Sequence, residues 1–466
     1  MSRLLAVALS FAFALPLLAD DKPTPPKGIE GYWLGTLNAG AIELRIAFHI
    51  TKKDDKLTAT MDSIDQGAKD LKFDSVDFVD GKITLKLAMA KFVYTGKLEA
   101  DGDAIKGELE QGSLKFPLNL KRQEKAFELK RPQEPKKPYS YLEEEVTFPS
   151  VAKDVKLAGT LTKPKGDGPF PTVVTITGSG PQDRDESLLG HKPFWVLADH
   201  LTRHGIAVLR FDDRGVAKST GKFGTATSKD FADDVAGAVA FLKARKDVGK
   251  IGLIGHSEGG MIAPMVAAED STIGFIVLLA GPGTKCDELL YAQGQLLVKA
   301  MGGDEKTQAR QASLHKKLFP LVKEGADSAK LKAALKELEK DFTDEEKKEL
   351  AKVQDAAAAS VGALATPWFK FFLNYDPDPT LKKVKCPVLA INGEKDLQVP
   401  PKENLAGIEK SLKAGGNMDV TVKEFPNLNH LFQTSKTGLP SEYGKIEETM
   451  SLAVLEMIAE WIGKRK

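Results

Sequence analysis

The sequence predicts two folded units. The first is a small all-β domain of barrel or sandwich type; the second is an α/β domain whose mostly parallel sheet carries helices on both faces. Three observations predict this. The chain has 466 residues, more than one ordinary hydrophobic core takes up. Its first part repeats apolar residues with a period of two. From about residue 145 strand-like runs alternate with helix-like ones, the rhythm of a parallel sheet covered on both sides.

In chain order, residues 1–19 read as an export signal. Arg3 supplies the positive end, Leu4 to Leu18 is almost wholly apolar, and Ala19 precedes Asp20 and Asp21. The run is too short for a spanning helix; a buried N-terminal helix is the alternative. No cysteine follows it and no twin arginine precedes it, which favours the general secretory route and a secreted or periplasmic protein. Residues 28–122 form the all-β unit. Leu44, Ile46, Phe48 and Ile50 share one face, as do Ile83, Leu85 and Leu87, and Leu114, Phe116, Leu118 and Leu120. Asp80-Gly81 and Asp101-Gly102 are hairpin turns, and about eight short strands fit the spacing. His49 falls on the polar face and reads as a solvated histidine. Tyr32 and Trp33 read as core, with polysaccharide or lipid contact by this domain left open. Residues 123–144, with Pro132, Pro135 and Pro138, read as a linker.

The α/β domain spans 145–466. Buried strands are expected at Thr172 to Thr177, Ala207 to Phe211, Ile251 to Ile254, Phe275 to Leu279, Val388 to Ile391 and Val420 to Val422. Phe231, Val235, Val239 and Leu242 share one face of a helix capped by Thr227 or Ser228. The last helix is expected from Tyr443 to Ile462. Residues 283–384 break the alternation. They are helical and charged, with amphipathic segments at Leu331 to Leu338 and Glu345 to Val353. An insertion between two sheet strands is placed to act as a lid over the C-terminal strand ends, where open α/β sheets bind ligands.

The 66 basic and 65 acidic residues leave a formal charge of +1. This balance gives no support for nucleic-acid binding, and no later segment is apolar enough to span a bilayer. Cys286 follows one expected strand and Cys386 precedes the next parallel one. Such ends lie about 17 Å apart across a strand's length, beyond the roughly 7 Å that a disulfide bridges, so both are expected as free thiols.

Gly255-His256-Ser257-Glu258-Gly259 lies between a strand and a helix and has the G-x-S-x-G pattern of a sharp turn that exposes a serine hydroxyl. Gly255 and Gly259 leave room for that turn. A serine needs a base to become a nucleophile, and the chain has seven histidines. His49 is in the β-domain. His191, His200 and His204 belong to an earlier helix region, His256 adjoins the serine facing away, and His315 is in the insertion. His430 remains, in a loop after the last strand. Asp396 follows the strand at Val388 and lies between Ser257 and His430 in the chain, where a carboxylate can orient the imidazole. Two backbone N–H groups are needed for the oxyanion. Glu258 supplies one, and Ser179 in Gly178-Ser179-Gly180-Pro181 the other. The Glu258 carboxyl itself reads as a charged helix start. The charged run Arg210 to Gly215 reads as paired charges that pin nearby loops, with substrate orientation as the alternative.

The segments Gly178 to Asp185, Phe211 to Gly215 and Gly255 to Gly260 resemble bacterial α/β-hydrolase esterases of the serine aminopeptidase-like, acyl-hydrolase group. The likeness covers about 145–282 and 385–466. It implies an α/β-hydrolase fold and hydrolysis of carboxylic esters through an acyl-enzyme, without metal or organic cofactor; substrates vary widely within such a fold. A small-molecule or acyl-ester substrate is expected. Two alternatives stand beside it: a peptidase or aminopeptidase on the same three residues, or a non-catalytic binding protein on a vestigial hydrolase fold.

Overall fold

The computed structural model describes residues 28–39, 42–112, 114–343, 347 and 361–465. The expected export signal and, apart from Lys347, the segment Glu345 to Val353 lie outside these residues.

The N-terminal unit is one curled antiparallel sheet of ten strands: β1 (Gly31–Ala39), β2 (Ile42–Lys53), β3 (Lys56–Ser63), β4 (Ala68–Lys72), β5 (Ser75–Val79), β6 (Lys82–Leu87), β7 (Phe92–Leu98), β8 (Ala104–Gln111), β9 (Leu114–Pro117) and β10 (Leu120–Gln123). Their order is β4-β3-β2-β1-β10-β8-β7-β6-β5, with β9 paired to β8. The sheet curls because both its ends must cover one core. Trp33, Phe48 and Tyr94 are enclosed together with Leu85 and Ile105. The Phe73 amide donates to Ala59 and the Asp74 amide to Lys86, so the segment between β4 and β5 bridges the two ends.

Ten strands exceed the expected eight partly because the run from Leu114 to Leu120 breaks after Pro117. Proline has no N–H for the ladder. The next strand leaves β9 and pairs with β1 and β8. Asp80 and Gly81 form the two-residue turn their sequence signals, both with positive φ. His49 is less solvated than its place in the pattern suggests: its ring stacks on Tyr32 at 4.3 Å.

The second sheet is mixed and has eight strands: β11 (Leu142–Pro149), β12 (Lys156–Lys163), β13 (Phe170–Ile176), β14 (Ala207–Phe211), β15 (Val248–His256), β16 (Phe275–Leu279), β17 (Val388–Gly393) and β18 (Val420–Phe425). The order is β11-β12-β14-β13-β15-β16-β17-β18, antiparallel through β11, β12 and β14 and parallel from there on. Eleven helices are described. They are α1 (Pro193–Arg203), α2 (Ser228–Lys243), α3 (Gly259–Glu269), α4 (Cys286–Ala300), α5 (Glu305–Glu324), α6 (Ser328–Leu338), α7 (Pro367–Asn374), α8 (Asp378–Leu381), α9 (Pro401–Ala414), α10 (Pro440–Tyr443) and α11 (Leu452–Gly463). Helices α2, α3 and α9 bury one face of the sheet, α1 and α11 the other. Thr227 caps α2 in a capping box with Asp230. Helices α4 to α8 form the insertion between β16 and β17. They have a small core of their own around Leu318, Leu331 and Leu373.

The C-terminal helix is shorter than its apolar pattern suggests. Residues 444–451 are not helical, and α11 begins only at Leu452. Tertiary bonding overrides local propensity here. Gly444 and Ile446 offer their carbonyls to Arg131, and Gly444 also to Arg45 of the β-domain. The segment between the two sheets is therefore firmly docked. Arg131 donates as well to the carbonyls of Leu189 and Gly190, and Gln133 bonds Thr449 and Met450. Both cysteines are free. Cys286 is enclosed beside Met261, and burial pushes its thiol far up. No helix among the described residues is long and apolar enough to cross a membrane.

Candidate active site

Strand register sets the site. Ile176 pairs with Gly255, His256 with Leu279, Leu279 with Ile391, and Gly393 with Phe425. The loops after β13, β15, β17 and β18 therefore leave the same sheet edge. They carry Ser179, Ser257, Asp396 and His430 respectively.

Ser257 sits at the turn from β15 into α3 with φ +52°, the left-handed region that side chains disfavour. Its amide donates to Leu279 on β16 at 2.8 Å, which holds the turn against the sheet. The flanking glycines are required for space. A Cβ on Gly255 would come 2.0 Å from the Gly259 carbonyl oxygen, and one on Gly259 would come 2.1 Å from that of Ile176.

His430 Nδ1 donates to Asp396 Oδ2 at 2.7 Å, with both side chains buried. The other oxygen of Asp396 accepts the amides of Gln398 and Val399 at 2.8 and 2.9 Å, so the carboxylate cannot swing. The remaining histidines are occupied elsewhere. His191 is enclosed between Thr449 and the Tyr443 carbonyl. His200 and His204 stack on each other, and His315 stacks on Phe319. His256 bonds Glu186 through Nδ1 at 2.9 Å and the His430 carbonyl through Nε2 at 3.0 Å.

Ser257 and His430 line a cavity of about 270 Å³. Gly178, Ser179 and Glu258 belong to its floor, and Leu289, Leu290, Trp368 and Phe372 reach it from α4 and α7. The Gly178 amide is committed to Glu186 Oε1 at 2.7 Å, so the next amide along the loop is that of Ser179. The loop is braced by Asp213, which accepts from Thr177 Oγ1 at 2.8 Å and from the Gln182 amide at 2.9 Å.

The charged run after β14 is paired. Arg184 bonds Asp212, Arg214 bonds Asp234, and Arg210 bonds Asp185. Asp213 is the exception. It has only neutral donors, and burial pushes its carboxyl well above the usual range.

Glu258 corrects the reading of a charged helix start. Its side chain is enclosed and accepts from Ser228 Oγ at 2.5 Å and from Trp368 Nε1 at 2.8 Å. Burial raises its pKa, against the pull of those bonds and one from Ser179. Glu186, His256 and Trp368 are the site neighbours that sequence reasoning passed over. Glu186 directly follows the segment Gly178 to Asp185, and its adjacency to that motif was the available signal. Among the described residues no cluster of His, Cys, Asp and Glu has a metal-site arrangement.

A model of the serine aminopeptidase, S33, family matches residues 194–435, more than half of the chain, and the chain belongs to that family. It is an α/β hydrolase, as the resemblance in its motifs implied. Esterase EstD of Thermotoga maritima is 29% identical over 331 residues, covering 70% of this chain and 69% of that protein. The structure of the Pyrococcus furiosus esterase Pf2001 aligns with a TM-score of 0.43 and 17% identity, over 73% of this chain and 98% of that one. Proline iminopeptidase from Mycobacterium smegmatis aligns with a TM-score of 0.43 and 16% identity, over 69% and 98%.

Proposed function

We propose that the protein hydrolyses carboxylic esters through an acyl-enzyme on Ser257, with His430 as the base and Asp396 as its orienting carboxylate. One observation carries this reading. Ser257, on its strained strand-to-helix turn, lines one cavity with His430, whose Nδ1 is held by Asp396 and whose other ring nitrogen is not committed to that carboxylate. Ser257 Oγ attacks the ester carbonyl and its proton passes to His430 Nε2. The N–H groups of Ser179 and Glu258 hold the oxyanion. Collapse expels the alcohol, which takes the proton from His430. Water then repeats the sequence on the acyl-enzyme and releases the acid.

An aminopeptidase would need an anionic group facing the substrate amine. The two glutamates lining the cavity, Glu186 and Glu258, are both spent on internal hydrogen bonds. This favours the ester. A named esterase relative, EstD, points the same way. Helices α4 and α7 act as a lid that selects the acyl group, since their side chains wall the cavity above the floor. Residues 1–19 act as an export signal, which N-terminal sequencing of the mature protein tests.

The mechanism is tested with p-nitrophenyl acetate and butyrate. Wild type should hydrolyse both, and Ser257→Ala should lose about 10⁴-fold or more in kcat. Equal rates in the two proteins would rule the mechanism out.

A further inference from the structure

Glu186 and His256 form a second carboxylate–histidine pair beside Ser257, and its hydrogen-bond partners are unusual. Glu186 Oε1 accepts from two donors, the Gly178 amide at 2.7 Å and His256 Nδ1 at 2.9 Å. His256 Nε2 lies 3.0 Å from the carbonyl oxygen of His430. A carbonyl can only accept. An oxygen already taking an amide N–H is not the protonated oxygen of a carboxylic acid. Both ring nitrogens therefore face acceptors, and only a doubly protonated imidazole donates from both.

The surroundings agree. Glu186 and His256 are enclosed, at 3% and 6% exposure, and among the described residues the carboxylate's one cationic partner is this ring. The titratable groups around the pair are Asp396 and His430 on the histidine side and Asp213 and Glu258 on the glutamate side. Burial works against a charged His256, but Glu186 and the backbone acceptor outweigh it and the ring's pKa rises. Glu186 is itself held in a disfavoured conformation, φ +53°. Its loop is pinned beyond it by Arg131, which donates to Leu189 and Gly190.

We propose that Glu186 keeps His256 as a buried imidazolium, and that this ion pair is a clasp that fixes the main chain of His430 and the oxyanion loop together. Glu186 and His256 are positioning residues. They touch no reacting atom and act through His430 and Gly178. The effect on turnover rests on the reading of Ser257, His430 and Asp396 above; the charge state of His256 does not.

Two measurements on the full chain separate these. The first is the ¹⁵N spectrum of the histidine side chains at neutral pH, with His256 assigned by its absence from His256→Gln. Both His256 nitrogens should show protonated, imidazolium shifts in wild type, and the signal should turn to the neutral pattern in Glu186→Gln. A neutral His256 in wild type overturns the clasp whatever the enzyme's activity. The second is steady-state kinetics on the better of the two p-nitrophenyl esters. Glu186→Ala and His256→Gln should each lower kcat about 10²-fold with KM within about threefold, the scale of a misplaced base. The double variant should be no worse than either single one. Glu186→Gln keeps an oxygen for both donors and should recover about tenfold over Glu186→Ala. If Glu186→Ala does not fold, Glu186→Gln and His256→Gln carry the comparison. A kcat within threefold of wild type in folded His256→Gln overturns the positioning role. Activity that survives Ser257→Ala would instead discard the catalytic reading and leave the spectrum to decide the clasp.

Discussion

Two carboxylate–histidine pairs flank Ser257 and are built for opposite ends. In the Asp396–His430 pair the carboxylate is saturated and the ring is not: Asp396 takes His430 Nδ1 and two amides, while His430, which lines the cavity, has a second nitrogen not committed to Asp396. In the Glu186–His256 pair both ring nitrogens are engaged inside the protein. Under the proposed mechanism the first ring exchanges a proton with the substrate. The second can only hold its place. A buried histidine beside a carboxylate is thus not defined by that carboxylate. What the far nitrogen meets decides whether the pair is chemistry or scaffold.

The largest effect that tests this contrast comes from neutralising the first carboxylate. Asp396→Asn leaves the two amide contacts with an acceptor but can present an NH₂ group to His430. That favours the wrong tautomer and removes the stabilisation of the charged ring. The expected loss in kcat on p-nitrophenyl butyrate is about 10⁴-fold. The equivalent change in the second pair, Glu186→Gln, is expected to cost far less. Equal losses from the two amides would break the distinction.

The two pairs also differ in how far the amino-acid sequence reveals them. Ser257, Asp396 and His430 each follow a short apolar strand, and glycines or turn residues mark the strand ends. Position along the chain was enough to bring them to one sheet edge. Glu186 and His256 are 70 residues apart, and nothing local in either signals burial or shared protons. Trp368 lies on a short helix within the charged insertion, and its place in the cavity wall depends on how that insertion folds over the sheet edge. The break at residues 444–451 depends on Arg45 and Arg131, more than 300 residues earlier in the chain, so a helical pattern there ran on too far. What alternates or punctuates locally could be read; what depends on a partner brought in by folding could not.

A third enclosed histidine sharpens the comparison because it has no carboxylate partner. His191 Nδ1 meets the Thr449 hydroxyl, and Nε2 meets the Tyr443 carbonyl and the Gln433 amide nitrogen, a set that a neutral ring with one proton can serve. Burial, with the positive Arg131 nearby, pushes its pKa down from 6.5 to about 4. The sign follows from proton uptake. Between these two values the unfolded chain binds a proton that the folded chain refuses, so stability falls as pH drops through that window. The full contribution, reached below the folded value, is roughly 3 kcal/mol. Denaturant unfolding at about pH 7 and about pH 4.5 checks this. His191→Gln should lose about 2 kcal/mol less between the two conditions than wild type does. An unchanged difference would mean that His191 is charged in the folded protein, and the rule drawn from its neighbours would fail.

The smallest expected effect concerns Glu258, a carboxyl at the same turn with no histidine at all. It accepts only from neutral groups, among them the indole N–H of Trp368 on α7. Where Glu186 clasps floor to floor, Glu258 ties the floor to the insertion above it. Trp368 stacks on Phe372 at 5.2 Å, and both wall the cavity. Trp368→Ala should therefore leave the reacting groups in place while enlarging the space for the acyl chain. In a series of p-nitrophenyl esters from acetate to octanoate, kcat/KM for the longer chains should rise about tenfold relative to acetate, about the worth of one or two methylenes in an apolar pocket. A uniform fall across the series, with the chain-length preference unchanged, would assign Trp368 to the upkeep of the floor and remove the division of labour between the sheet edge and the helices that cover it.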